Sequence, residues 1–458
     1  MTTPPSPPDQ PTPDAPQPTP AARFDPAAAH QNKPRLRPVR GFPAKHGEQV
    51  MLGIADARQI SDKMIVTSPA VQTILPLMNG ERTLDEIISE VGRGLTRPIM
   101  ESLVAQLDEA ALIFGPKFDA LLTKTRAEFD ASPNLPPAST AAFADAVVSG
   151  ALGREATEEE KSSQGAAKLR ELMDQWMAKA LENADKPSFD ELPKAVIAPH
   201  VDYPRGWMNY AAAWGRMRVV DRPDRVVILG ANHFGQSTGV AACDKGFETP
   251  LGLSDADADM VRIMRARFGD KLFENRYDHE KEHSIELQVA WVQHCLGADD
   301  SGAFCKVFGA LVHDPAVNNG ESYDGQGVAL MPFAEALRDA IAELPGKTLV
   351  VSSADLSHVG PMFGDPHALA GEEEPAVGFR NKVLKHDQEM LELVRRIKPD
   401  ELVAAMAWQQ NPTRWCSTGN IVATMLAVQP TEVELLSYTA AMDPQGMGLV
   451  SSAAAVMR

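Results

Sequence analysis

A chain of 458 residues has room for more than one domain and for a sizeable core. Its 44 Lys and Arg are outnumbered by 62 Asp and Glu, a formal charge of -18, which argues against a broad basic surface for nucleic acid. No apolar run approaches the roughly 20 residues a membrane-spanning helix needs, and the start of the chain lacks a basic stretch followed by an apolar one, so the reading is a soluble, cytoplasmic protein.

Residues 1–45 are rich in Pro, Ala, Gln and Thr and poor in core-forming side chains, the composition of a disordered tail. Residues 46–117 have the texture of a small globular unit. Thr83 followed three residues later by Glu86 forms a capping-box pattern, and Ile99, Leu103, Leu107 and Leu112 fall close to helical spacing. A short hairpin followed by about three helices is expected, a winged-helix-like module. Its strand, its Ser-Pro helix start, the segment NGERTLDEI and the closing Leu-rich helix resemble PqqD-like peptide-recognition domains; a packing module with no ligand of its own is the other reading. Residues 118–190 are rich in Ala and charge, with one amphipathic helix around residues 166–183, and read as a helical connector.

From 191 to 458 strand-like and helix-like segments alternate. The strands are KAVIA, RVVILG, CKVFGALV, TLVVSS and a late adjacent pair, VELLSYTAA and LVSSAAAVM; helices are expected between most of them. This predicts a three-layer α/β domain, its central sheet mixed but mainly parallel and flanked by helices.

Several of these segments empty onto ligand-type residues: His200, His233, Asp355 with His358, and Cys416. Ligands of open α/β sheets bind where parallel strands end. Two imidazoles and a thiolate in one crevice suit a transition metal, iron, copper or zinc, with sulfur favouring the softer ions. Cys416 lies in a polar turn directly before a helix-like run, where a thiol's pKa falls. Cys295 and Cys305 sit in apolar surroundings and read as structural, and Cys243 belongs to no CxxC pair. Glu282 and Glu286 read as a solvated helix flank or cap, Trp415 as packing, and His367 as part of a surface loop without a metal role.

The ordered segments APHVDY, ILGANHFG, EHSIELQ, VVSSADLSHVG and CSTGNIVATMLA resemble the Memo family, which includes protein B of the AmmeMemoRadiSam system. The resemblance spans residues 192–458. It implies an α/β domain related to class III extradiol dioxygenases, with His200, His233 and Cys416 as metal ligands and Asp355 and His358 at the family's acidic and basic site positions. Where the family has a small residue and Gly after the first His, this chain has Val201 and Asp202; Phe234 replaces a second His, and CSTGN replaces the usual sequence around the cysteine.

The function expected is therefore a mononuclear metalloprotein holding Fe(II) or copper, with oxygen-linked or other redox chemistry on a small substrate. His283 or His358 would act as acid or base, Asp355 would orient His358 or a ligand imidazole, and Asp202 would tune the metal or bind substrate. A peptide-binding adaptor and a zinc hydrolase are the alternatives. Radical-SAM system proteins are the partners the resemblance implies.

Overall fold

The computed structural model describes residues 22–46, 49–92, 94–367 and 369–458. The chain divides into two compact units, one up to Lys124 and one from Thr125 to Arg458.

In the first unit, strands Val39–His46, Gln49–Asp56 and Met64–Thr67 pair antiparallel, and helices Leu84–Val91 and Arg97–Glu109 follow. The Thr83–Glu86 capping box is present: the Thr83 hydroxyl accepts the Glu86 N–H, and the Glu86 carboxylate accepts the Thr83 N–H. Leu52, Ile54, Ile87, Met100, Leu103 and Leu107 form part of its core. The expected hairpin thus gains a third strand. The tail also ends earlier than residue 45: Ala29–Asn32 is a helical turn and Val39–His46 a full strand, while residues 1–21 lie outside the described residues. Order there rests on backbone pairing and polar anchors, which a count of apolar residues misses. Gln31 donates to Asp108 at 2.8 Å. Buried Arg37 pairs with Asp56 at 3.0 Å, donates to the Ala111 carbonyl at 2.7 Å and lies 3.7 Å from the Phe118 ring centroid.

The second unit is built on an eight-stranded sheet. Ala195–Ala198, Thr348–Ser353, Arg225–Ala231 and Lys306–Val312 run parallel in that spatial order, nearly every residue buried, as strands covered on both faces require. Leu449–Met457 joins antiparallel beside Ala195–Ala198 and also pairs with Val433–Met442 and Asp355–Val359; Ala241–Ala242 closes the other edge. Helices Tyr203–Trp214 and His283–Leu296 pack on one face. Thr418–Val428 and Leu330–Glu343 pack on the other, giving three layers.

Residues 118–190 are more than a connector. They form helices Pro116–Ala131, Ser139–Leu152 and Glu158–Leu181, and the last two pack on one another and into the first helical layer. Asp355–Val359, expected as the loop after TLVVSS, is a strand. Among the described residues no helix is long and apolar enough to cross a membrane.

Candidate metal centre

Three parallel strands end at one place. His200 lies two residues past Ala198, His233 two past Ala231, and Asp355 two past Ser353; Cys416 arrives from the opposite layer, at the start of helix Thr418–Val428. Gly230 permits this convergence, because a Cβ there would meet the side chains of Ser284 and Ile285 in the helix that follows His283. With that space free, Ser284 donates to the Ala231 carbonyl at 3.1 Å, which brings Glu282 and His283 alongside His233.

One nitrogen and one sulfur atom are aimed at each other from the two layers. His200 Nδ1 donates to the Ser353 carbonyl at 2.9 Å, leaving Nε2 3.3 Å from Cys416 Sγ. His233 Nδ1 lies 3.1 Å from both Glu282 oxygens, so its Nε2 is likewise free. The ligand atoms of His200, His233 and Cys416 all fall within 4.8 Å of one another, a spacing a single ion with bonds of about 2.0–2.3 Å can bridge. The donor set and tautomers therefore fit a metal.

The charges are strongly coupled. Burial opposes ionisation of the Cys416 thiol, yet the imidazoles of His200, His358 and His233 hold it well below the usual thiol range. Burial likewise opposes the His200 imidazolium, but Asp355 and Cys416 raise its pKa to about 9; His233 is raised by Glu282 and Cys416 despite burial. The Glu282 carboxylate is buried, yet His233 and His283 keep it below the ordinary range. His283, stacked on His233 with centroids 5.0 Å apart, is pushed down to about 4 by burial and stays neutral at pH 7. Burial raises the remaining thiols, Cys243 to about 12 and Cys305 to about 11, with Cys295 raised also.

Several expected roles change. Of the two imidazoles expected beside it, Asp355 sits with His200 and not with His358. Its Oδ1 accepts the His200 backbone N–H at 2.9 Å and its Oδ2 lies 3.6 Å from His200 Nε2, whereas His358 Nδ1 donates to the Leu356 carbonyl at 3.0 Å. Asp202 caps helix Tyr203–Trp214, pairs with Arg205, Nε at 2.6 Å, and lines the rim of the adjoining cavity. Glu282 does cap its helix, at 2.9 Å from the Ser284 N–H, but it is buried and also holds His233, a carboxylate role visible in sequence only as the Glu preceding His283. Glu286 is buried as well, not solvated. Trp415 packs, with 1% exposure, and its indole N–H donates to Asp387 at 2.7 Å.

Beside the cluster lies a cavity of about 610 Å³, lined by His200, His233, His283, Asp355 and His358 on one side and by Phe143, Tyr203, Phe234, Leu287, Met362 and Phe363 on the other.

A His–His–Cys cluster, its histidines at the carboxyl ends of parallel strands in a mixed α/β sheet and its cysteine at a helix start in the facing layer, defines the class of this protein. The Memo-like protein family model matches residues 162–457, and the chain belongs to that family. A MEMO1 family protein of Methanopyrus kandleri is 28% identical over 285 residues, covering 61% of this chain and 88% of that protein. Relatives of the same description from Thermotoga maritima, 27% identical over 56% of this chain and 78% of that protein, and from Aquifex aeolicus, 22% identical over 79% and 83%, are similar as well.

Proposed function

We propose that this Memo-family protein binds one iron(II) or copper ion through His200 Nε2, His233 Nε2 and Cys416 Sγ, and carries out redox or oxygen-linked chemistry on a small molecule in the adjoining cavity. The observation that carries this reading is the pairing of two imidazoles, each committed through Nδ1, with a thiolate 3.3 Å from the first free Nε2. Such an ion would supply a redox couple and an open position for ligand.

The chain's own residues do the rest. The Ser353 carbonyl fixes the His200 ring, Asp355 accepts the His200 backbone N–H, and Glu282 fixes His233. His358 reaches the cavity with Nδ1 held by Leu356, so its other nitrogen is left to hold or move a proton. His283 is neutral at pH 7 and acts as a wall against His233. The apolar side of the cavity excludes water from the ligand.

The test is elemental analysis of protein purified without chelator or nickel column, alongside single His200→Ala, His233→Ala and Cys416→Ala variants. Each variant is expected to lose most of the metal with its circular dichroism unchanged. Stoichiometric metal in all three would overturn the assignment.

A further inference from the structure

One wall of the cavity comes from outside the segment that the family model matches. Helix Ser139–Leu152 brings Ser139 and Phe143 to the lining, and the match begins only at residue 162. The helix starts poorly by itself. Its N-cap is Ala138, which has no side-chain acceptor for the first unpaired N–H groups.

Glu286 supplies that acceptor from a distant part of the chain. Its Oε1 takes the Ala138 and Thr140 N–H groups, both at 2.9 Å, and the Thr140 hydroxyl, while its Oε2 takes the Ser139 N–H at 3.0 Å. Glu286 lies one turn after His283 on the helix that carries the site. A single buried carboxylate therefore sets the wall against the metal cluster. Phe143 meets Tyr203 edge-on, centroids 5.2 Å apart, and Trp176 at 5.9 Å, so its ring has little room to turn.

We infer that Phe143, positioned by Glu286, determines which molecule the cavity accepts, and that this molecule is neutral with a flat apolar group about one ring wide. This rests on the cavity being the ligand site of the proposed metal centre. Away from the histidines and Asp355 the lining is apolar but for Ser139 and one rim ion pair, in which Arg205 is already committed to Asp202. A charged group against Phe143, Leu287 and Phe363 would be desolvated without a partner. An aromatic or similarly flat group gains from edge and face contacts with the rings.

Benzyl alcohol and 2-naphthylmethanol, titrated by calorimetry into the full chain with metal content measured in parallel, test the inference. The wild type should bind benzyl alcohol more tightly. Phe143→Ala should lose about 3- to 10-fold on benzyl alcohol and gain on the naphthyl probe, with metal content unchanged. Glu286→Gln, which sets an NH2 against the N–H groups it formerly accepted, should shift the size preference the same way and retain metal, an outcome that a merely unfolded variant would not give. Unchanged size preference in both variants, or no binding of either probe to the wild type, overturns the inference. Absent metal in the wild type with the preference intact would instead refute the metal reading alone.

Discussion

Replacing Glu282 with Gln exchanges one carboxylate oxygen for an NH2 and should weaken metal binding without abolishing it. The carboxylate accepts the His233 N–H at 2.8 Å, the Ser284 N–H at 2.9 Å and the His233 Nδ1–H at 3.1 Å, all out of water. Gln keeps one oxygen and turns the other into a donor facing one of these N–H groups. One charge-assisted hydrogen bond is lost and one buried donor goes unpaired, a cost of about 1–3 kcal/mol. The imidazole then loses its fixed tautomer, and metal affinity should fall about 10- to 100-fold, the usual effect of an outer partner. Anaerobic iron(II) titration in competition with a chelator measures this, with Cys416→Ala as the reference for loss of a ligand. An unchanged affinity would show that Glu282 serves only as a helix cap. A loss as complete as in Cys416→Ala would make it a ligand, within the His233, Glu282 and His283 group whose atoms also lie close together.

Other outcomes follow from the same geometry. In metal-free protein, iodoacetamide should label Cys416 at pH 6.5, where an ordinary thiol is mostly protonated, and spare Cys243, Cys295 and Cys305; peptide mass spectrometry showing equal labelling would contradict the thiolate assignment. Because His200 stays protonated up to about pH 9 in the metal-free site and must be neutral to bind metal, affinity should rise with pH between 6 and 9 by about tenfold per unit for each proton released; a flat profile would refute the coupling. Deleting residues 1–45 should cut the urea midpoint of the first unit, since Asp56 loses Arg37 and a buried pair broken on one side costs about 3–5 kcal/mol; an unchanged midpoint would show the strand to be dispensable. Asp387→Asn should lower thermal stability by placing a donor among four others, from Ser357, Trp415, Tyr438 and Ser451, and a melting temperature equal to wild type would count against that network.

The parallel strands were legible because each is an unbroken apolar run ending in turn residues, and the convergence of His200 and His233 follows from where such runs must stop, whereas Cys416 comes from a helix start in the opposite layer. What stayed hidden depends on partners far apart in sequence. Asp355–Val359 contains Asp, Ser and His, so its strand character comes from pairing with Leu449–Met457 and not from its own composition. For Asp355 the sequence leaves two imidazoles open, its neighbour His358 or one from another strand end, because spacing alone cannot choose between them; the fold hands it to His200. Glu286 gave no sign of reaching Thr140, and Ala-rich text around Phe143 carried no mark of a cavity wall. The early strand at Val39–His46 was missed because its anchors are an arginine and a glutamine.

Leu449–Met457 is the strand that stitches the sheet together, pairing with Val433–Met442 along one edge and with Asp355–Val359 and then Ala195–Ala198 along the other. During synthesis, residues 195–198 emerge long before residues 455–457, their partners on that side. Until the late strand arrives, the outer edge of Ala195–Ala198 has no neighbour on that side. Closing that edge depends on a contact distant in sequence, the kind that slows folding. A chain of this kind offers an open apolar strand edge, which makes the interval before that strand docks the time when the domain is most exposed to aggregation.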